Sequence, residues 1–115
     1  KIFAEKVYKI RDNVRKNILK LKKNYTKIIG YGSPAKATTA LNFFNISNEI
    51  DYIVEDNKLK HGKFLPGMNI PIISKTQIKR KADCALVLAW NFFDEIKKKN
   101  SDLATKFISI KDLEN

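Results

Sequence analysis

The stretch CALVLAW, from Cys84 to Trp90, is the longest uninterrupted apolar run in the 115-residue chain. Such a run is far too short to cross a bilayer, which takes roughly 20 residues. It does not alternate with polar residues, so it predicts a strand that is buried on both faces, as in the centre of a parallel sheet. A strand of this kind needs helices on both sides, which points to an α/β fold.

Further strands and helices alternate around this run. We predict strands in TKIIGYG, IDYIVED, NIPII and KFISI, with Ile50, Tyr52 and Val54 on one face of the second. We predict helices in PAKATTALNFF, after a capping box that begins at Ser74, and in NFFDEIKKKN, which Asn91 can cap. The resulting order, α-β-α-β-β-α-β-α-β, predicts an α/β fold. We expect a Rossmann-like three-layer domain with a mostly parallel five-stranded sheet in the order 3-2-1-4-5.

The first 23 residues predict an amphipathic helix that leads into this domain. Apolar residues recur at helical spacing, at Phe3, Val7, Ile10, Val14, Ile18 and Leu21. The lysines and arginines fall mostly off this stripe, which favours a helix packed on the sheet with a solvated basic face over a membrane-surface helix.

The net charge of +11 is concentrated in this leading segment, since residues 1–27 hold ten Lys and Arg but only two acids. Only three of the 23 basic residues of the chain are arginines. Arginine is favoured wherever bases or phosphates are recognised by paired hydrogen bonds. We therefore expect neither nucleic acid nor a membrane as a partner.

The chain fits one domain, residues 1–115, and its start at Lys1 suggests a fragment or a processed piece of a longer protein. Cys84 is the only cysteine, so an internal disulfide and a cysteine zinc cluster are both excluded. A reducing, cytoplasmic location fits this composition. His61 is also alone and lies in a lysine-rich loop, so we expect it to be exposed and not to bind a metal.

A glycine-rich stretch, GYGSPAK, lies between the first strand and the second helix. Gly30, Gly32 and Ala35 match the dinucleotide fingerprint G-x-G-x-x-G/A in the required context. On this interpretation Gly30 permits a tight turn and Gly32 lets an anion approach the backbone. Lys36 either supplies a positive charge to that anion or points to solvent.

In a doubly wound sheet, ligands bind at the carboxyl ends of the strands. The second predicted strand ends in Glu55, Asp56 and Asn57, and the fourth ends in Ala89, Trp90 and Asn91. The two acids are placed to hold a ribose hydroxyl, although acids also end strands as ordinary turn residues. Trp90 can stack on a base or sugar or cap the core, and the core is favoured. A free-standing nucleotide- or NAD-binding module and a docking domain without a ligand both remain alternatives.

Three stretches together resemble one family: GYGSPAKATTALNFF, IDYIVEDNKLKHGKFLPGMNIPI and ADCALVLAWNFFDEI. The chain is similar to the C-terminal domain of SAM-dependent sugar C-methyltransferases, which act on nucleotide-activated deoxysugars. The matching positions are Gly30, Gly32, Ala35 and Lys36; Asp56, Lys60, Gly62, Leu65, Pro66, Gly67, Ile70 and Pro71; and Ala89, Trp90 and Asn91. Lys58 departs from the pattern, because proline is frequent there in the family.

The resemblance implies that this domain forms a wall of the nucleotide-sugar cleft and has no catalytic residue of its own. SAM, zinc and the catalytic residues would belong to upstream domains of the same chain, its expected partners, so the 115 residues alone would be inactive. The substrate-binding residues expected here are Gly30, Tyr31, Gly32, Ser33, Lys36, Glu55, Asp56, Asn57, Lys60, Trp90 and Asn91.

Overall fold

A computed structural model describes residues 2–32, 34–55, 61–65, 67–78 and 80–114, and for residues 2–4 and 34–36 it describes the backbone only. Five of the predicted substrate-binding side chains lie outside this description. They are those of Ser33, Lys36, Asp56, Asn57 and Lys60, which stay predictions from the sequence.

The strands form one parallel sheet in the order β3-β2-β1-β4-β5, which confirms the predicted order. They are β1 (Ile28–Tyr31), β2 (Ile53–Val54), β3 (Ile72–Ile73), β4 (Ala82–Val87) and β5 (Ala104–Ser109). The strand β4 is buried almost throughout, as the apolar run predicts. It nevertheless ends at Val87 and not at Trp90, because residues 90–92 turn into a 3-10 helix.

Three α-helices flank the sheet: α1 (Ile2–Asn24), α2 (Pro34–Phe44) and α3 (Phe93–Lys99). Short 3-10 helices lie at Ser47–Glu49, Lys75–Gln77, Trp90–Phe92 and Ile110–Glu114. The predicted capping box is present: the Ser74 hydroxyl accepts from the Thr76 N–H at 3.2 Å, and the Gln77 side chain accepts from the Ser74 N–H at 2.8 Å. The predicted cap by Asn91 is wrong, because Asn91 lies within the 3-10 helix and α3 starts after Phe92 without a side-chain cap.

The two faces of the sheet carry separate apolar cores. One face packs against α1 and α2 through Val14, Ile18, Ala37 and Leu41, together with Leu113 of the last 3-10 helix. The other face packs against α3 through Ile96. The α/β three-layer architecture is therefore confirmed, with thicker cover on the first face.

The second predicted strand is shorter than expected, and one of its residues lies on the other face. Ile50 and Ile53 belong to the core under α1 and α2, whereas Tyr52 and Val54 belong to the core on the opposite face. The expectation that Ile50, Tyr52 and Val54 share one face is therefore wrong. Residues 50–52 precede the strand, so the two-residue alternation does not hold across them.

The helix α1 has the predicted amphipathic arrangement. Val14 and Ile18 are fully buried, while Lys6, Lys9, Lys16, Lys20 and Lys23 are exposed. Two amide groups also attach the helix to the end of the chain: Asn13 Nδ2 donates to the Glu114 carbonyl at 3.0 Å, and Asn17 Nδ2 donates to the Leu113 carbonyl at 2.8 Å. Within the described residues, no helix has both the length and the apolar character that a membrane crossing requires.

Candidate functional site: the carboxyl edge of the sheet

All five strands end level with one another. Tyr31 pairs with Val54 and with Val87, Val54 pairs with Ile73, and Val87 pairs with Ser109. The residues that follow these pairs therefore line one edge of the sheet, which we call the carboxyl edge. In spatial order they are Ser74, Glu55, Gly32, residues 88–91 and residues 110–111. Ligands of doubly wound sheets bind at such an edge.

Gly30 lies within β1, so its predicted role in a tight turn is wrong. Its N–H donates to the Tyr52 carbonyl at 2.9 Å. A Cβ at this position would lie 2.5 Å from Cδ1 of Ile53, which is fully buried. The glycine is needed because the Ile53 side chain fills the space over the strand.

Gly32 follows β1 and packs against the end of β4. A Cβ on Gly32 would lie 3.1 Å from Cβ of Leu88, a contact closer than ordinary van der Waals packing. The Leu88 N–H donates to the Tyr31 carbonyl at 3.0 Å, which fixes this approach. The absence of a side chain at Gly32 thus makes room for the protein itself. This packing gives the glycine a structural reason that is independent of any anion.

Tyr31 ends β1 with its side chain in the core under α3, where it is only 7% exposed. It lines a cavity of about 300 Å³ between β1 and α3, together with Phe92, Glu95, Ile96, Lys99 and Asn100. Phe92, which is half exposed, lies at the boundary between this cavity and solvent.

Glu55 follows β2 and is held by its backbone. Its N–H donates to the Ile73 carbonyl at 3.1 Å, and its carbonyl oxygen is in hydrogen-bond contact with Nε2 of His61. His61 is consequently half-buried and not exposed as predicted, because its ring lies against the Glu55 carbonyl. The structure places the Glu55 backbone at the edge, one strand away from Gly32.

Trp90 does not cap the core, and that preferred interpretation is wrong. Its side chain is 49% exposed, because β4 ends three residues earlier and the chain leaves the sheet. The Nζ of Lys111 lies 4.0 Å from the centroid of the indole ring. Asn91 is exposed beside it.

Lys111 is a site residue that the sequence reasoning missed. It lies two residues after Ser109, the last residue of β5. Once the order 3-2-1-4-5 is predicted, every residue that follows a strand is a candidate for the carboxyl edge, including those after the last strand. That rule would have identified Lys111.

Metal-binding chemistry has little support in the described residues. No group of three or more His, Cys, Asp and Glu side chains converges there. Burial is the main cause that raises the pKa of the Cys84 thiol to about 11, so the group stays protonated and is a poor metal ligand.

Comparison with known proteins agrees with this architecture. Residues 1–110 match the family of C-methyltransferase C-terminal domains. The chain belongs to this family. It is also 33% identical over 96 residues to the C-methyltransferase NovU of Streptomyces niveus. That similarity covers 82% of this chain and 23% of NovU, so the chain spans about a quarter of the length of this relative.

Within this C-methyltransferase C-terminal domain, the structure brings together Tyr31, Gly32, the Glu55 backbone, Trp90 and Asn91 at the carboxyl edge. Gly30 lies below the edge, within β1. The edge thus offers an indole face, a cation and the exposed side-chain amide of Asn91.

Proposed function

We propose that this domain forms the nucleotide-sugar-binding wall of a SAM-dependent C-methyltransferase. The observation that carries the proposal is the half-exposed Trp90 at the carboxyl edge of a chain that belongs to the C-methyltransferase family. A large aromatic ring that is left half in solvent offers a flat apolar surface, on which a sugar ring or a base can pack.

The residues of the domain would bind and orient the substrate. Trp90 would pack against a ring of the nucleotide-sugar, and Asn91 would supply an amide for its hydroxyl groups. Glu55 follows β2, which lies on the side of β1 away from Trp90. It would reach a hydroxyl group at that end of the ligand. Neighbouring strands are about 4.8 Å apart, so the edge from β2 to β5 spans roughly 15 Å, which suits an extended ligand.

We place the methyl-transfer chemistry outside this chain. SAM supplies the methyl group when it is bound to such enzymes, and we propose that SAM, zinc and the catalytic residues belong to upstream domains. The contribution of this domain would then be positional, because a substrate held in the correct orientation reacts faster.

The packing of Gly32 argues against the alternative of an NAD-binding module. In the dinucleotide fingerprint the second glycine lets the backbone approach the pyrophosphate. Here the missing side chain faces Leu88 instead. The match at Gly30 and Gly32 therefore has a packing explanation that requires no dinucleotide.

Calorimetric titration tests the proposal. We expect the protein to bind thymidine-diphosphate-glucose and to give no heat with NAD. Replacing Trp90 by Ala should weaken binding of the sugar nucleotide about tenfold or more, since loss of one stacking contact costs about 1–3 kcal/mol. Trp90→Phe should keep most of the affinity, because a ring remains.

Tyr8→Ala is the matched control. Tyr8 is a half-exposed aromatic residue with a cation, Arg11, over its ring at 4.9 Å, but it lies on α1. Its replacement should leave the affinity unchanged. Binding of NAD in place of the sugar nucleotide, or no binding of either, would exclude the proposed function.

A further inference from the structure

The ammonium group of Lys111 is held in place at the carboxyl edge. Its Nζ lies 4.0 Å from the Trp90 ring centroid, well within the range of a cation–π contact. Such a contact is a modest attraction at an exposed site. This is enough to bias a flexible lysine towards one position without burying its charge.

The backbone of Lys111 is anchored as well. Its N–H donates to the hydroxyl oxygen of Ser109 at 3.2 Å, and Ser109 is a buried residue at the end of β5. Ser109 pairs with Val87, and Trp90 follows Val87 by three residues. The ring and the cation therefore come from neighbouring strand ends, and the sheet sets their relative position.

No carboxylate neutralises Lys111 within the described residues. The ion pairs found there join Arg11 to Asp12, Arg15 to Glu49 and Lys75 to Asp102. Lys75 shows the contrast, because its Nζ lies 2.9 Å from the carboxylate of Asp102. Lys111 is instead exposed, and its Nζ lies over the neutral Trp90 ring and in no ion pair among the described residues.

We propose that Lys111 is a further ligand-binding residue, which contacts a phosphate group of a nucleoside-diphosphate ligand bound against Trp90. This inference rests on the proposed function and deepens it. The Trp90 ring can pack against an apolar ring face, and the Lys111 ammonium beside it can pair with an anion. This combination suits a ligand that carries both groups. Lysine acts on phosphate as a compact point charge, and such charge-assisted contacts are stronger than neutral hydrogen bonds.

The experiment compares Lys111→Ala with Lys106→Ala. Lys106 is the matched control, because it is also an exposed lysine over an aromatic ring, with Nζ 5.6 Å from the Tyr25 ring centroid. It lies inside β5, paired with Cys84, away from the carboxyl edge. The probes are thymidine-diphosphate-glucose, thymidine diphosphate and thymidine, which differ in their phosphate groups.

We expect Lys111→Ala to weaken binding of both diphosphates about tenfold and to leave the affinity for thymidine unchanged. Lys111→Arg should restore most of the loss, because it keeps the charge and can also stack on the indole. The affinity of Lys111→Ala should also depend less steeply on salt, since one ionic contact is missing. Lys106→Ala should behave like the wild type.

The outcomes separate this inference from the proposed function. If the wild type binds thymidine-diphosphate-glucose and Lys111→Ala binds it equally well, the inference is wrong and the proposed function stands. An equal loss for thymidine and thymidine diphosphate would also overturn it, because Lys111 would then act through the Trp90 ring and not on phosphate. If the wild type binds none of the three probes, both proposals fail.

Discussion

Gly30 shows how a single missing side chain fixes the packing of two strands. The residue lies in the middle of the sheet, opposite Ile53 of β2. A Cβ at Gly30 would come within 2.5 Å of Cδ1 of Ile53, which is fully buried, so the Ile53 side chain would have to shift. The glycine in the first position of the fingerprint thus has a packing explanation.

We predict that Gly30→Ala destabilises the protein by about 1–3 kcal/mol, the usual cost of overpacking a core. Ile53→Val removes the Cδ1 atom that would clash and by itself should cost about 0.5–1.5 kcal/mol. In the double variant the two costs should not add, because the smaller valine admits the new methyl group. Urea denaturation of the four proteins measures this coupling.

Strict additivity in this cycle would contradict the packing explanation. Gly67→Ala is an unsuitable control because of its backbone conformation, with φ at 72°. Asn42→Ala on the exposed side of α2 is a better reference for a substitution to alanine away from the sheet.

At the scale of elements, α1 is tied to the turn between α2 and β2 by one ion pair. The guanidinium of Arg15 lies 3.7 Å from a carboxylate oxygen of Glu49, and Arg15 also donates to the Asn45 carbonyl. Glu49 is only 8% exposed, and its second carboxylate oxygen has no hydrogen-bond partner among the described residues. Because the Glu49 carboxylate is buried, removing the charge of Arg15 would leave it without compensation and destabilise the fold.

We predict that Arg15→Met destabilises the protein by about 1.5–3 kcal/mol, the range for a hydrogen bond to a charged group. Methionine keeps much of the aliphatic volume, so the loss reports the missing charge. Glu49→Gln in the same chain should recover part of it, because the neutral amide is less costly to bury. Thermal denaturation of the single and double variants checks this, and a double variant less stable than Arg15→Met would refute it.

The elements also show how far sequence reasoning extends. The five strands, their order and the bounds of α2 follow from apolar runs and capping patterns, since these are local properties that a parallel sheet requires. The strand ends do not follow. That the strand in CALVLAW ends at Val87 and not at Trp90 depends on where its pairing with Tyr31 and Ser109 stops and the 3-10 helix begins, and these partners are distant in sequence.

The prediction errors at the candidate site have this same origin. Because Trp90 leaves the sheet early, it is exposed and not part of the core, and Asn91 lies inside a 3-10 helix and cannot cap α3. Lys111 was missed because residues after the last strand were not considered for the carboxyl edge, and its contact with Trp90 appears only in the structure. Nothing in the local sequence around Lys111 distinguishes it from the other lysines.

At the scale of the whole molecule, the exposed lysines of α1 and Lys111 would have different roles in attracting an anion. The exposed lysines of α1 lie on the side of the helix opposite Val14 and Ile18, where they are solvated. They raise the general attraction for anions, an effect that salt screens. Lys111 acts at one place on the carboxyl edge, so a salt titration of Lys111→Ala against the wild type separates the local contact from the general one.

Cys84 reports on the integrity of the whole sheet. It lies in β4, paired with Ile28 of β1 and Lys106 of β5, and its side chain is fully buried. Burial is the largest cause that raises its pKa, from 9.0 to about 11; Asp83 adds to the rise and Lys106 opposes it. The thiol is therefore unreactive as long as the sheet stays closed, since only the thiolate is nucleophilic.

This raised pKa predicts a loss of stability at high pH. In the unfolded chain the thiol loses its proton near pH 9, whereas the folded protein retains it up to about pH 11. The contribution of the Cys84 thiol to the free energy of unfolding is therefore fully present below pH 9 and is lost as the pH rises through 11. We expect the free energy of unfolding, measured by urea titration between pH 8 and 11.5, to fall more steeply for the wild type than for Cys84→Ala.

Burial also raises the pKa of Tyr52, but Tyr52 is present in both proteins, so its effect cancels in the comparison. Equal slopes for the two proteins, or fast alkylation of Cys84 by iodoacetamide at pH 8 in the folded state, would show that the thiol is not buried in the closed sheet.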